Sequence, residues 1–207
     1  MESCCTSKSP VRNVSISLEA LPLHFIIHII VGLSRPAVRA NKRNNLLATI
    51  PKLSKSYHVA FEFKPTTFES GWTNIIHLTT GESCCGEGSR IPAVWFHSSS
   101  TTATKNKLHI CSAVNGEGNY CTDSAVVVPR GQWTRVEVLQ YKEGASYKYL
   151  VKVGSTALLS VTNSKPKDFY NVKVFGADDW SKHAQGSMKN LVISPDLAGK
   201  CYLELCP

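Results

Sequence analysis

From Tyr57 the chain alternates. Tyr57, Val59, Phe61 and Phe63 are interleaved with His58, Ala60, Glu62 and Lys64, and a period of two is satisfied only by an extended strand that buries one face and wets the other. Pro65 has no amide hydrogen to continue a ladder and closes the segment. The same kind of segment returns at Trp72–Thr79, Ile91–His97, Lys107–Ser112, Gln132–Tyr141, Tyr147–Val153, Asn171–Phe175 and Lys189–Ser194, each bounded by Gly, Ser, Asn or Thr. No stretch after Tyr57 holds a 3.6 period over a helical length. Short strands at this spacing predict an all-β chain, folded as a two-sheet antiparallel β-sandwich.

The rest of the sequence bounds that expectation. At 43% hydrophobic and 18% charged residues over 207 positions, the chain can bury a core and is neither disordered, collagenous nor coiled-coil. The net charge of +8 would suit nucleic acid if it were spread over the domain. Residues 1–56 instead hold eight Lys/Arg against two Glu, so the positive excess sits mainly ahead of the strands and no nucleic-acid partner is expected. Leu21–Leu33 is an apolar run too short to cross a bilayer as a helix but long enough for the core of a signal peptide, with Val38-Arg39-Ala40 offering small residues for cleavage. No integral membrane span is expected. Three regions result: an N-terminal segment 1–44, a sandwich 45–197 and a Cys-containing tail 198–207. The only Asn-x-Ser/Thr sequon, at Asn13, precedes the apolar run.

Eight cysteines without a CxxC pair argue against a structural zinc site and for an oxidising, extracellular setting. Cys111 with Cys121 and Cys201 with Cys206 are the short-loop candidates for disulfides, although eight cysteines allow 105 connectivities. His24 and His28 stand four apart in the apolar run without acidic neighbours, which is a poor metal site.

Five phrases in order carry a resemblance: Tyr57-His-Val-Ala-Phe-Glu-Phe-Lys-Pro65, Trp72-Thr-Asn-Ile-Ile-His-Leu-Thr79, Arg90-Ile-Pro-Ala-Val-Trp-Phe96, Gln132-Trp-Thr-Arg-Val-Glu-Val138, and Asn171-Val-Lys-Val174 followed by Asp179-Trp180. Over residues 45–197 the chain resembles the laminin-G-like, concanavalin A-like lectin jelly-roll domains of animal extracellular proteins, with Leu46–Pro51 similar to the lead-in before their first long strand. The resemblance implies two packed antiparallel sheets and binding of glycans or proteins outside the cell through loops. Calcium sits at the rim of many such domains, so it implies Asp178 and Asp179 as candidate calcium ligands. Adjacent side chains reach one ion only where the loop bends.

Among the indoles, Trp133 after the Pro129-Arg130-Gly131 corner is expected to plug an open end of the sandwich, and Trp95 to lie in the core. Trp180 follows two carboxylates in a loop, where an indole can stack on a sugar ring. Arg90 follows the Cys84-Cys85 loop, where it can grip an acidic sugar or pair with Glu87. Enzymatic readings have less to stand on. The paired carboxylates of jelly-roll glycan hydrolases are missing from the strands. The His/Tyr pair of jelly-roll lyases is only faintly matched by His77 and Tyr147, with Ile75 and Lys142-Glu143 departing from those motifs. The expectation is a non-catalytic extracellular recognition or adhesion module. A lyase or a structural matrix component is the alternative.

Overall fold

Alternation becomes pairing in the computed structural model, which describes residues 31–33, 38–39, 44–97 and 106–197. Its strands are β1 (Val31–Leu33), β2 (Val38–Arg39), β3 (Leu46–Leu53), β4 (Tyr57–Pro65), β5 (Thr73–Thr79), β6 (Ala93–Phe96), β7 (Lys107–Val114), β8 (Glu117–Val127), β9 (Thr134–Glu143), β10 (Ser146–Val153), β11 (Thr156–Asn163), β12 (Phe169–Phe175), β13 (Lys182–His183) and β14 (Gly186–Ser194). One sheet runs β1-β14-β4-β9-β10-β11, with β2 also on β14. The other runs β3-β12-β5-β6-β7-β8, with β13 alongside β5. Pairing is antiparallel throughout except for the short β13–β5 contact. In each sheet a late strand lies between early ones, β14 beside β4 and β12 between β3 and β5. The chain therefore crosses between the layers, and the architecture is a jelly-roll β-sandwich.

The core lies between the sheets and follows the alternation. Tyr57, Val59, Phe61 and Phe63 of β4 are buried, as are Tyr149, Val151 and Val153 of β10. From the facing sheet come Ile76, Leu78, Val94, Phe96, Leu108, Ile110, Val172 and Val174. Phe96 meets Phe63 at 5.9 Å and Phe68 edge-on at 4.9 Å between ring centroids. A polar network ties the layers at one end. Asn163 donates to Gln140 Oε1 at 2.7 Å, Gln140 donates to the Lys55 carbonyl at 2.8 Å, and the Asn115 amide in the β7–β8 turn donates to Asn163 Oδ1 at 2.8 Å.

Several elements differ from the sequence reading. The lead-in at Leu46 is itself a strand, on the edge of the second sheet. Glu117–Val127 and Thr156–Asn163 are strands that the alternation did not disclose, because β8 is rich in polar residues and β11 is half-exposed on both faces. Val31–Leu33 and Val38–Arg39, placed by sequence in the N-terminal segment, pair with β14. Trp133 is half-buried beneath two ammonium groups, Lys64 at 5.1 Å and Lys189 at 4.4 Å from its ring centroid. These are two cation–π contacts on the first sheet, not an end plug. Cysteines pair as Cys111–Cys121 and as the adjacent Cys84–Cys85, while Cys201 and Cys206, like His24, His28 and Asn13, lie outside the described residues.

Candidate functional site: an aromatic groove on the second sheet

If Val94, Phe96, Leu108 and Ile110 face the core, their neighbours must face outward. Register turns this into two cross-strand rows. His77, Ala93, Cys111 and Cys121 are successive partners across β5, β6, β7 and β8, and Asn74, Trp95, His109 and Asp123 form the next row. The outer face of the second sheet thus gathers histidine, tryptophan, a disulfide and a carboxylate. Trp95 is buried, but on this face, in a small cluster with Ala93 and Cys111, and not in the sandwich core the sequence suggested.

Two excursions cover the face. After β12 the chain leaves the sheet at Gly176 and rejoins β5 as β13, with residues 176–181 between. The backbone amide of Asp178 donates to Asn74 Oδ1 at 3.1 Å. Asp178 Oδ1 accepts the amides of Trp180 and Ser181 at 3.1 and 2.8 Å, and Oδ2 meets His77 Nδ1 at 2.8 Å. On the other side of His77, Nε2 donates to the Ser89 carbonyl at 2.6 Å. Ser89 belongs to the second excursion, between β5 and β6. Thr79 Oγ1 fixes its start by donating to the Glu82 carbonyl at 2.7 Å and accepting the Gly81 and Glu82 amides. His77 is therefore a buried rivet joining both coverings to the sheet.

Arg90 closes the second excursion. Its guanidinium lies over Trp95, 4.6 Å from the ring centroid, while Nε donates to the Ser83 carbonyl at 3.1 Å and Nη1 donates to Asn119 Oδ1. Burial pushes the guanidinium below its ordinary value while the Asp178 carboxylate pulls the other way; it remains a cation in either case. No acceptor among the described residues meets Nη2. Glu87, the alternative partner read from sequence, pairs with Lys167 instead.

Between these parts lies an open groove of about 710 Å³. Trp72 and Trp180 wall it, 39% and 44% exposed, with Arg90 and the edge of Trp95 between them. Trp95 Nε1 donates to Ser181 Oγ at 3.2 Å, which leaves its indole polar group satisfied. A second depression of about 490 Å³ shares Trp180, Ser181 and Lys182. Trp180 thus stands as a fin between two hollows, its ring against His77 and Phe175 at 5.4 and 6.2 Å.

The sequence singled out Arg90 and Trp180, and the structure brings both to this groove. It does not bring Asp178 and Asp179 together. Asp178 is sealed from solvent with its oxygens committed to His77 and two amides, whereas Asp179 is exposed. The proposed sharing of calcium lacks an outward-facing oxygen on Asp178. The lyase pair is not assembled either. His77 holds the outer face of the second sheet with both ring nitrogens engaged, and Tyr147 is on β10 of the first. Trp72, His109, Asn119 and Asp123 were not anticipated as a group. The signal available was His109-x-Cys111 and Cys121-x-Asp123: in an antiparallel hairpin, opposing the cysteines opposes His109 and Asp123 as well.

No protein-family model and no curated protein sequence matches the chain. Solved structures similar to it include a native heptameric SAP-like pentraxin from Limulus polyphemus, with a TM-score of 0.49 and 14% identity over 72% of this chain and 67% of that one. The CBM40 of Ruminococcus gnavus IT-sialidase bound to alpha2,3 sialyllactose gives 0.48 and 13% over 75% and 90%. The exoplasmic/lumenal domain of VIP36 in its Ca2+/Man2-bound form gives 0.42 and 12% over 81% and 79%.

Proposed function

We propose that this protein is a non-catalytic glycan-recognition module that takes a saccharide chain in the groove between Trp72 and Trp180, outside the cell. The observation that carries the reading is the pair of half-exposed indoles walling an open groove with a guanidinium between them. An indole face is an apolar plate on which the C–H face of a pyranose stacks, and Arg90 supplies directional donors for hydroxyl or carboxylate oxygens. Binding needs no conformational change, because the loops on both sides are fastened to the sheet through His77, Asp178 and Thr79. Two disulfides on the same face suit an oxidising compartment. No helix of the described residues is long and apolar enough to cross a membrane. His77, the residue best placed by sequence to act as a base, is buried and doubly hydrogen-bonded, which favours recognition over proton abstraction.

A panel of neutral and acidic oligosaccharides, screened with calcium and with chelator, tests the reading. The expected result is saturable binding that falls about fivefold in Trp180→Ala and in Trp72→Ala, each stacking contact contributing about 1 kcal/mol. Release of new unsaturated sugar ends on incubation with acidic polysaccharides would replace this reading with a lyase. Absence of any ligand, with intermolecular disulfide crosslinks in non-reducing gels, would replace it with a structural role.

A further inference from the structure

Beyond Trp72 the outer face ends in two imidazoles and a carboxylate that the glycan reading does not use. His97 directly follows β6, His109 lies on β7 and Asp123 on β8, so two neighbouring strands and the residue after a third each contribute one side chain. His109 Nδ1 is 2.6 Å from Asp123 Oδ1, His97 Nε2 is 3.9 Å from Asp123 Oδ2, and the donor atoms of all three lie within 4.8 Å of one another. We infer that His97, His109 and Asp123 form a binding site for a divalent transition-metal ion of the zinc or copper class, held at the groove's end against Trp72.

The distances fit. Bonds of about 2.1 Å at a tetrahedral angle place two ligands of one ion about 3.4 Å apart, so donors now within 4.8 Å of one another close by up to about 1.4 Å while the 2.6 Å His109–Asp123 contact opens by about 0.8 Å. Both imidazoles are 21% exposed and Asp123 49%, which leaves them room to do so. Donor chemistry selects the ion class: two imidazole nitrogens and one carboxylate suit zinc and copper, whereas calcium demands a shell of oxygens. Three protein ligands leave a tetrahedral ion one position open towards solvent.

Two further features prepare the site. The Trp72 ring packs on both imidazoles, with centroids 4.5 Å from His97 and 4.7 Å from His109. It restricts both rotamers and gives the ion a low-dielectric wall. His109 Nε2 lies 3.1 Å from Cys111 Sγ, a disulfide sulfur with lone pairs and no proton. That contact matches the tautomer carrying its proton on Nε2, which is the form that presents the Nδ1 lone pair to a metal. The ion would lie between the Nδ1 of His109 and the Asp123 carboxylate that now face each other, with no change in the strands.

Titration of the full, oxidised chain with Zn(II) by calorimetry, and with Cu(II) while following tryptophan fluorescence, tests the site. One ion per chain is expected, with Cu(II) quenching the emission because Trp72 touches both ligands. Excess calcium is expected to leave both curves in place. His97→Gln and Asp123→Asn, each checked for an unchanged urea midpoint, should weaken binding more than about tenfold. His58→Gln, on the opposite sheet beside Glu137, should not. Since His24 and His28 could bind copper themselves, the titration is repeated with both changed to Gln, where one ion per chain must persist. Binding that survives Asp123→Asn and His97→Gln, or that vanishes with His24 and His28, overturns the proposal, as does the lack of a saturable single site. None of these outcomes depends on a glycan being bound.

Discussion

His77 Nδ1 lies 2.8 Å from Asp178 Oδ2, and neither side chain is exposed to solvent. Because His77 Nε2 faces the Ser89 carbonyl, which can only accept, the ring must carry a proton there. One more proton lies between Nδ1 and the carboxylate. Two surface excursions are fastened to the sheet through it, since Asp178 also caps the turn carrying Trp180. The groove is therefore held open by a buried polar pair behind its wall as well as by contacts within its lining, Arg90 over Trp95 and Trp95 to Ser181.

That proton count gives the first prediction. Asp178→Ala leaves Nδ1 without a partner and two amides without an acceptor, and truncating one member of a buried pair costs about 3–5 kcal/mol. Asp178→Asn is expected to be much milder. Its carbonyl can still accept the Trp180 and Ser181 amides while its amide nitrogen donates to Nδ1 of the Nε2–H tautomer, so every group stays paired. Urea unfolding of the two variants checks this, and equal losses would show that the charge on Asp178, and not its hydrogen-bond pattern, is what matters.

A second prediction concerns high pH. Burial raises the Tyr57 phenol to about 12 from its ordinary 10, opposed by a 3.3 Å hydrogen bond with Ser112. Burial likewise holds Tyr149 well above the usual range. A group with a raised folded value contributes stability that is complete below its unfolded value and is lost as pH climbs through the folded one. Stability is thus expected to be unaffected by these two groups up to about pH 10 and to fall steeply towards pH 12. Their tyrosinate absorbance should appear together with the loss of β-sheet circular dichroism. In Tyr57→Phe the alkaline limb should move upward, while neutral stability drops by about 1 kcal/mol with the lost hydrogen bond. Ionisation of both phenols in a chain that keeps its circular dichroism would contradict the placement.

How much of this was legible follows from which residues alternate. β4 and β10 could be read directly, since Tyr57, Val59, Phe61, Phe63, Tyr149, Val151 and Val153 are apolar on one side only. β5 could be recognised as a strand but not resolved into faces, because all seven of its residues are buried. The core covers one side and the His77 rivet the other. Polar β8 gave no apolar period, for its outward residues serve the groove and the Cys111–Cys121 bridge. Arg90 and Trp180 were visible as a cation and an indole in loops. Their meeting was not, since it depends on an excursion from β12 rejoining β5 in parallel, which no local pattern encodes. Asp178 was misread for the same reason: its neighbour in sequence is Asp179, but its partner in space is 101 residues earlier.

The last prediction tests whether the β5–β6 excursion is a rigid part of the groove. Gly118 opens β8 directly beneath that loop, and a Cβ there would stand 2.4 Å from the carbonyl carbon and oxygen of Gly86 and 2.7 Å from the Cys85 oxygen. Backbone cannot swing aside as a side-chain tip can, so the loop must lift. Gly118→Ala is expected to cost about 1–3 kcal/mol, the range for overpacking a filled site. Lifting the loop also moves Arg90, whose Nη1 binds Asn119, the residue next to Gly118. The guanidinium should then slide off Trp95 and admit water, shifting tryptophan emission to longer wavelength in the folded variant and weakening glycan binding. Gly131→Ala makes the comparison: nothing lies within 4 Å of its added carbon, although its φ of +73° still strains an alanine. It should lose stability without the emission shift. If both variants leave emission and binding unchanged, the loop adapts freely and the groove is not pre-formed.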